Sequence, residues 1–375
     1  MPKVTKLKKG ALDISAIRGI INKKAGREVA HSLQDNNPTE VTEWIPTGSR
    51  WLDSIICKGK LAGVPVGKIS EIAGLEATGK SFMAAQIAGN AQKMGIDVVY
   101  FDSESALDPS FLERAGCDLE RLMYVQAESV EFVLETIEEL LGTGNKWLFI
   151  WDSLALTPSI SDVEGDFNPQ SSMAVKPRIL SKGMAKLTIP IADANATLLV
   201  LNQLKTNMAA RTPAEAMTTP YFTPGGKAMS YAYSLRVWLT ARKAKASFIT
   251  DENGYRVGSE VKVKLEKSRF GTAGRTCNFK ILWGDEDIGV QDEESWFDAI
   301  QVSERLKQSG AWFTLVKNDG SEEKFQRKMW TEKLQKEDFR TSVLTIMDED
   351  VIMKFKNREG NAQDFYDTEE TPEES

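Results

Sequence analysis

Cysteine is scarce in this chain. Only Cys57, Cys117 and Cys277 occur among 375 residues, each far from the others in sequence. A sparse, odd-membered set of cysteines excludes a disulfide scaffold, and no pair has the spacing of a metal site. This usage is typical of a reducing compartment, so we expect a cytoplasmic protein.

Long hydrophobic runs and an excess of positive charge are also missing. No apolar run is long enough to cross a bilayer, and the N-terminus has no signal-peptide pattern, so we expect no membrane partner. A formal net charge of −7 argues against a protein that binds nucleic acid through a basic surface all round. Residues 1–27 nevertheless contain many bases and one acid, whereas residues 359–375 contain acids and no base. Solvated, mobile ends and functional tails both fit this asymmetry.

The pattern along the chain predicts four parts. Residues 1–45 contain a basic amphipathic helix and a polar linker. Residues 46–285 alternate short apolar strands with helices, which is typical of an α/β fold with a wound, mainly parallel central sheet. Residues 286–356 indicate a small C-terminal α+β module, and residues 357–375 an acidic, disordered tail. The expected strands of the core are KISEIA, DVVYF, LMYV, WLFIWD, ATLLVLN, LRVWLTAR, VKVKLEK and CNFKILW.

The stretch GLEATGKS, residues 74–81, has the spacing of a P-loop and lies between a predicted strand and a predicted helix. A chance glycine-rich turn would not be expected to have both neighbours. Gly74 and Gly79 allow a loop whose backbone N–H groups point inward and hold phosphate oxygens. Lys80 is expected to reach the β- and γ-phosphates, and the Ser81 hydroxyl to ligate Mg²⁺. The predicted nucleotide contacts here are Gly74, Leu75, Glu76, Ala77, Thr78, Gly79, Lys80, Ser81 and Phe82.

Acidic residues end two of the predicted strands. Asp152 follows an apolar run in the Walker B pattern, in which a carboxylate holds the Mg²⁺ shell. Asp102 and Glu104 end another strand, and one of them is expected to orient the attacking water. Glu104 lies past the apolar run and so reaches the crevice more easily. Alternatively, all three carboxylates are merely solvated strand ends.

Two amides, Asn202 and Gln203, end a further strand. A neutral amide can donate a hydrogen bond to a γ-phosphate oxygen without adding charge repulsion. Because a long polar segment begins at Leu204, Gln203 is predicted to report to that segment whether the γ-phosphate is present.

Residues 159–173 and 204–226 are polar and lack periodicity. Both segments follow apolar strands, and wound sheets bind ligands beyond the carboxyl ends of their strands, so we predict functional loops, with plain insertions as the alternative. Lys267 and Arg269 lie two apart on a predicted strand and therefore on one face. Either they clamp phosphate oxygens, or they protect an exposed sheet edge.

The order of these motifs resembles that of RecA-type recombinases. The matching stretches are EWIPTGSRWLDSII, GVPVGKISEIAGLEATGKS, YFDSESALDPSFLERAG, WDSLALTP, VEGDF, LNQL, TPGGKAMSYAYSLRVWL and GSEVKVKLEKSRFG. The later LKQSGAWFTLV resembles the C-terminal module of bacterial RecA. The resemblance implies a RecA-like P-loop NTPase core that uses ATP and Mg²⁺. It also implies a recombinase that polymerises on single-stranded DNA as a helical filament and pairs it with homologous double-stranded DNA.

The resemblance further implies roles for the residues that end the strands. Glu104 matches the carboxylate that activates water, and Asp152 matches the Walker B residue. Gln203 matches the amide that links ATP to the second DNA loop. Lys267 and Arg269 match a pair that reaches the γ-phosphate of a neighbouring protomer. The predicted catalytic set is therefore Lys80, Glu104, Asp152, Gln203, Lys267 and Arg269, with Ser81 and Asp152 at the metal.

Base and DNA contacts are implied in the same way. Asp108 and Phe111 match positions that contact adenine, and an aromatic ring suits stacking on the base. Residues 159–173 and 204–226 match the two DNA loops. Contacts to phosphates, with apolar wedges between bases, suit binding that ignores sequence. The predicted DNA contacts are Met173, Ala174, Arg178, Ser181, Met208, Gly225, Gly226 and Lys227.

The chain also departs from bacterial RecA. Its second loop is longer and shares almost none of the RecA sequence, and Ser230 and Ala185 replace basic residues. Pro177 predicts that the helix after the first loop begins near Arg178. This divergence resembles the UvsX-like recombinases of bacteriophages, which would place the protein in a host cytoplasm. The basic arm then resembles a segment that docks on the adjacent protomer, and the acidic tail resembles tails that restrain duplex binding.

The partners implied by the resemblance are DNA, further copies of the chain, a loading mediator and a single-strand binding protein. Two alternatives share the same core: a hexameric helicase that encircles DNA, and a recombinase paralogue that hydrolyses ATP poorly. The intact Lys80, Glu104, Asp152 and Gln203 argue against the paralogue.

Overall fold

A computed structural model describes residues 13–34, 37–165, 175–208, 212, 220–240, 247–284 and 288–354. The chain divides into one unit at Met1–Thr42 and a second at Glu43–Ser375. Among the described residues, no helix combines the length and the apolar composition that a membrane crossing requires.

The first unit contains helix α1 (Ile14–Ala25), in the segment predicted to form a basic amphipathic helix. Gly26 ends the helix with a φ of 70°, a left-handed conformation that glycine adopts without steric penalty. The apolar side chains of α1 are exposed: Ile14, Ile17, Ile20 and Ile21. The helix therefore presents apolar and basic side chains together.

The second unit contains the remaining described elements. Its helices are α2 (Arg50–Ile56), α3 (Lys80–Lys93), α4 (Pro109–Arg114), α5 (Val130–Leu141), α6 (Ile160–Glu164), α7 (Val175–Asp193), α8 (Gly226–Ala232), α9 (Asp292–Ala299), α10 (Trp330–Leu334) and α11 (Glu337–Ile346). Its strands are β1 (Trp44–Ile45), β2 (Val64–Pro65), β3 (Ile69–Gly74), β4 (Asp97–Asp102), β5 (Leu122–Gln126), β6 (Trp147–Asp152), β7 (Thr197–Gln203), β8 (Lys205–Thr206), β9 (Tyr221–Phe222), β10 (Leu235–Thr240), β11 (Phe248–Thr250), β12 (Arg256–Ser268), β13 (Thr276–Leu282), β14 (Gly289–Gln291), β15 (Leu306–Ser309), β16 (Trp312–Val316) and β17 (Glu322–Gln326).

A 10-stranded sheet forms the centre of this unit. Strands β5, β4, β6, β7, β3 and β10 lie side by side in that order and run parallel. Strands β12, β13 and β14 extend the sheet in antiparallel fashion, and β11 pairs with β12. The predicted wound, mainly parallel α/β sheet is confirmed. Because β3 and β4 are separated by β7 and β6, a crevice opens beyond the carboxyl ends of these strands.

The sheet is buried on both faces, which explains why its central strands are apolar throughout. Successive residues of β6 point to opposite faces. Leu148 and Ile150 join a core cluster that contains the buried face of α3, whereas Phe149 and Trp151 join a second cluster with α5 and α7. Helix α3 and helix α7 are thereby fixed against opposite faces of one rigid layer.

The predicted C-terminal α+β module is present as an antiparallel sheet, in the order β15-β16-β17, with α9, α10 and α11. Aromatic rings fill its centre in edge-to-face pairs, in which Phe297 lies 4.9 Å from Phe313 and 5.3 Å from Trp330 between ring centroids. Such geometry is the favoured one for aromatic pairs. The module packs on the same core cluster as α3.

Candidate functional site

The P-loop connects the end of β3 to the start of α3, as predicted. Gly79 has a φ of 81°, and a Cβ at Gly74 would lie 2.4 Å from Thr78 Oγ1, so neither position tolerates a side chain. The Lys80 ammonium donates hydrogen bonds to the carbonyls of Leu75 at 3.0 Å and Gly74 at 3.4 Å. Burial lowers the pKa of Lys80, while the carboxylates around it act in the opposite direction. The loop borders a cavity of about 900 Å³.

The proposed Mg²⁺ ligands Ser81 and Asp152 lie next to each other. The Ser81 hydroxyl donates to Asp152 Oδ2 at 3.0 Å, and the Tyr100 hydroxyl donates to the same oxygen at 2.7 Å. Burial raises the pKa of Asp152, whereas the two hydroxyl donors lower it. A hydroxyl and a carboxylate are the hard oxygen donors that Mg²⁺ prefers, and few protein ligands suffice because Mg²⁺ keeps several waters. The donor set therefore fits the ion.

The structure separates the roles of the two acids at the end of β4. The Asp102 carboxylate is buried and accepts hydrogen bonds at 2.8 to 3.2 Å from the backbone N–H groups of Glu104, Ser105, Ala106 and Leu107. With both oxygens so occupied, Asp102 shapes the turn and is not available to a water molecule. This arrangement leaves Glu104 as the carboxylate that can act in the crevice.

Glu104 is exposed and lines the cavity over the P-loop. The Ser153 hydroxyl donates to Glu104 Oε1 at 3.2 Å. Ser153 directly follows Asp152, so the carboxylate predicted to activate water is hydrogen-bonded to the residue after the predicted metal ligand. Ser153 is not among the site residues predicted from the sequence, although its position directly after the predicted Walker B residue is a usable signal.

The two amides at the end of β7 also differ. Asn202 is buried, and its amide donates to Glu71 Oε1 and to the carbonyl of Pro224, each at 3.0 Å. Gln203 lines the cavity over the P-loop. Of the two amides, Gln203 is therefore the one placed to meet a phosphate, whereas Asn202 holds the end of the second loop.

A buried charge network anchors that loop end. Glu71 is fully buried, and Arg236 Nε donates to its Oε2 at 2.6 Å. A second guanidinium nitrogen of Arg236 donates to Thr223 Oγ1 at 2.8 Å, close to Pro224, which Asn202 contacts. Side chains from three adjacent strands, β3, β7 and β10, thus hold residues 223–224 at the end of the second loop.

Replacing Arg236 with Met is expected to destabilise the protein by about 3–5 kcal/mol, because Glu71 would remain buried without its partner. Urea unfolding curves measure the change. The matched control is Lys186→Met, which removes the cation of the exposed Lys186–Glu138 pair and should change stability by less than about 1 kcal/mol. A loss of similar size in both variants would show that burial of the network contributes little.

The residues predicted to contact adenine lie beside the P-loop. The Phe111 ring packs edge-to-face on Phe82 at 4.3 Å between centroids, and Trp283 lies 6.3 Å from Phe82. Asp108 caps α4 by accepting a hydrogen bond from the Ser110 N–H. Asp108 and Phe111 line a cavity of about 250 Å³ that shares Ser81, Glu104 and Asp152 with the larger one.

Lys267 lies near the end of β12, whereas Arg269 follows the strand in a turn, so the predicted shared strand face does not include Arg269. Neither residue lines the cavity of its own chain. Lys267 Nζ donates to the carbonyls of Ser230 and Tyr231, and an Arg269 nitrogen donates to the Tyr231 carbonyl at 2.8 Å. Cations at the end of a helix stabilise its unpaired carbonyls, here those of α8. Their predicted action on a neighbouring protomer stays a prediction.

The structure describes part of each predicted DNA loop. Met173 and Ala174 lie outside the described residues, as does the acidic tail. Arg178 and Ser181 lie on the exposed side of α7, and Lys227 is exposed near the start of α8. Gly225 and Gly226 have φ values of 106° and 80°, conformations that favour glycine. Met208 is 89% exposed.

Both loops contain more regular structure than predicted. In the first loop, Ser159 and Asp162 form a capping box that begins α6. In the second, β8 and β9 pair as a short stem. Helix α7 begins at Val175 and not near Arg178, because the missing N–H of Pro177 falls in the first turn, where it has no helical partner to lose.

Comparisons with known proteins agree with this geometry. Residues 12–288 match the family model described as the RecA N-terminal domain. The chain is 32% identical to Protein RecA of Bifidobacterium breve over 307 residues, which cover 82% of this chain and 73% of that protein. It is 30% identical to Protein RecA of Colwellia psychrerythraea over 301 residues, which cover 80% of this chain and 82% of that protein. These relatives do not test the bacteriophage assignment, which stays a prediction.

Proposed function

This chain belongs to the RecA family, and from that premise we propose that it is an ATP-dependent recombinase that polymerises on single-stranded DNA and exchanges strands with a homologous duplex. The main support is the family match over most of the chain. Geometry adds to it, because Lys80, Ser81, Glu104, Asp152 and Gln203 line one cavity at the carboxyl ends of parallel strands.

ATP hydrolysis follows from the placement of these groups. Backbone N–H groups of the P-loop and the Lys80 ammonium would hold the triphosphate and offset charge that develops on it. Glu104 would orient a water molecule in line with the γ-phosphate and accept its proton. Mg²⁺, held through Ser81 and Asp152, would neutralise phosphate charge.

DNA binding is assigned to the exposed ends of α7 and α8. Arg178 and Ser181 would contact phosphates from α7, and Lys227 with the N–H groups of Gly225 and Gly226 would do so from α8. These contacts do not read base edges, so we expect binding without sequence preference. Local clustering of these cations would allow a chain of net charge −7 to bind DNA.

Filament assembly is the remaining part of the proposal. The exposed isoleucines of α1 would dock on an adjacent protomer, and Lys267 and Arg269 would reach its nucleotide. We further propose that a loading mediator and a single-strand binding protein act with the filament on DNA. Electron microscopy with single-stranded DNA and a non-hydrolysable ATP analogue tests assembly. A helical filament is the expected result, and six-membered rings would instead indicate a helicase.

Replacing Gln203 with Ala is expected to leave ATP binding intact but to abolish stimulation of hydrolysis by DNA. The amide lines the cavity and lies one residue before the second loop, so its loss would disconnect the γ-phosphate from that loop. Hydrolysis is measured with and without single-stranded DNA. Gln126→Ala, at the exposed end of β5, is the control. Full stimulation in Gln203→Ala would refute the relay.

A further inference from the structure

Lys176 connects the start of α7 to the turn that follows β6, the strand that ends with the predicted metal ligand Asp152. Its ammonium donates hydrogen bonds to the carbonyls of Leu154 at 2.7 Å and Ala155 at 3.1 Å. Among the described residues, no carboxylate lies within ion-pair distance of it. Burial lowers its pKa to about 8, an effect that Asp162 opposes and Lys205 reinforces. Among the described residues, the hydrogen-bond partners of this half-buried cation are two backbone carbonyls, which compensate for its desolvation.

Residues 153–155, at which Lys176 binds, contact the Glu104 carboxylate, the end of the second loop and strand β7. Ser153, one residue before Leu154, donates to the Glu104 carboxylate at 3.2 Å. The Leu154 side chain is fully buried, and a Cβ at Gly225 would lie only 2.9 Å from it, so the end of the second loop packs directly on this segment. The Leu154 N–H also donates to the Leu201 carbonyl of β7 at 3.1 Å.

We propose that Lys176 is a positioning residue that couples DNA contact at the first turn of α7 to ATP hydrolysis by fixing residues 153–155 and, through Ser153, the Glu104 carboxylate. The inference rests on the proposed function. It adds a second connection between DNA binding and ATP hydrolysis, separate from the one proposed for Gln203. Lys176 lies two residues before Arg178, a predicted phosphate contact. Any shift of the first turn of α7 on DNA therefore acts on the Leu154 and Ala155 carbonyls. Because the neighbouring Ser153 and Leu154 are buried in the core, the shift is passed to Ser153 and is not absorbed locally.

Lys176→Met tests the coupling in the full-length protein. At saturating single-stranded DNA, kcat for ATP hydrolysis is expected to fall roughly tenfold, a typical size for coupling between sites. The KM for ATP and the DNA affinity should change little, since Lys176 does not line the cavity over the P-loop and is not among the predicted DNA contacts. Lys176→Arg, which keeps a cationic donor able to reach a carbonyl, should restore most of the stimulation.

Lys182→Met is the matched control, because Lys182 is an exposed lysine on the same helix that has no part in the carbonyl contact. A role of Lys176 in attracting DNA would raise the DNA concentration needed for half-maximal rate and would leave kcat unchanged. That result would overturn the proposal. Thermal unfolding checks that each variant is folded, and Lys176→Gln, which keeps one donor group, replaces the Met variant if that one does not fold.

A double-mutant cycle with Ser153→Ala adds a second criterion. If Lys176 acts through Ser153, the double variant should be no slower than the slower single variant. If the losses of kcat in the two single variants multiply in the double variant, the two residues act independently. Lys176 would then not act through Ser153. The result also separates this inference from the proposed function. If DNA does not stimulate ATP hydrolysis by the unmodified protein, both the proposed function and the role of Lys176 are wrong. If DNA stimulates Lys176→Met as strongly as the unmodified protein, only the role of Lys176 is wrong.

Discussion

Glu104→Gln is expected to lower DNA-stimulated ATP hydrolysis by about 10²–10⁴-fold while filaments on DNA still form. The amide has nearly the shape of the carboxylate and can still accept a hydrogen bond from Ser153, but it cannot take a proton from water. Because Lys80, Ser81 and Asp152 are unchanged, ATP binding should persist. Single-turnover hydrolysis and electron microscopy on single-stranded DNA measure the two properties separately.

Two further variants sharpen this prediction. Glu128→Gln makes the same chemical change at an exposed position just after β5 and should hydrolyse ATP normally. Asp102→Asn removes an acceptor for the backbone N–H groups of residues 104–107, so it should lower stability as well as activity. If Asp102→Asn lost hydrolysis without loss of stability, and Glu104→Gln retained it, the roles assigned to the two acids would have to be exchanged.

The central sheet was predictable because its strands are short apolar runs between helices. Each strand buried on both faces, such as β6, leaves a continuous hydrophobic signal that polar loops interrupt. The P-loop was predictable for a related reason, since its spacing, its strand and its helix are all local in sequence. Its glycines are required where the backbone adopts a φ of 81° and where Thr78 leaves no room for a Cβ.

The partners of the polar residues could not be read from the sequence in the same way. Glu71 and Arg236 are separated by 165 residues, and Glu71 and Asn202 by 131, so only the strand order brings them together. Asn202 and Gln203 are adjacent and chemically alike, yet the strand pleat turns one into the core and leaves the other on the cavity. The same limit applied to Asp102 and Glu104, whose separate roles depend on hydrogen bonds to backbone.

Irregular segments were the least predictable part. Helix α6 and the β8–β9 stem are too short to show a hydrophobic period, and neither element has a wide buried face. Lys176 also gave no signal, since a lysine that binds two backbone carbonyls looks in sequence like any solvated lysine.

Mixing two inactive variants is expected to recover about a quarter of the wild-type hydrolysis rate if each nucleotide is shared between protomers that assemble at random. One partner, Lys80→Ala, lacks the P-loop ammonium. The other, Lys267→Ala with Arg269→Ala, lacks the cations proposed to act in trans and should be roughly 10³-fold slower alone. A junction regains a complete site only where an intact P-loop meets intact cations from its neighbour. This occurs at one in four random junctions.

The control mixture combines Lys80→Ala with Glu104→Gln. Both residues line the same cavity of one chain, so no junction between these variants contains a complete set and no activity should return. Recovery in the first mixture but not in the second would establish that Lys267 and Arg269 act on the neighbouring nucleotide. Failure of the first mixture to recover, or near-normal hydrolysis by the Lys267 and Arg269 variant alone, would mean that one subunit contains the entire site. The carbonyl contacts of Lys267 and Arg269 at the end of α8 would then be purely structural.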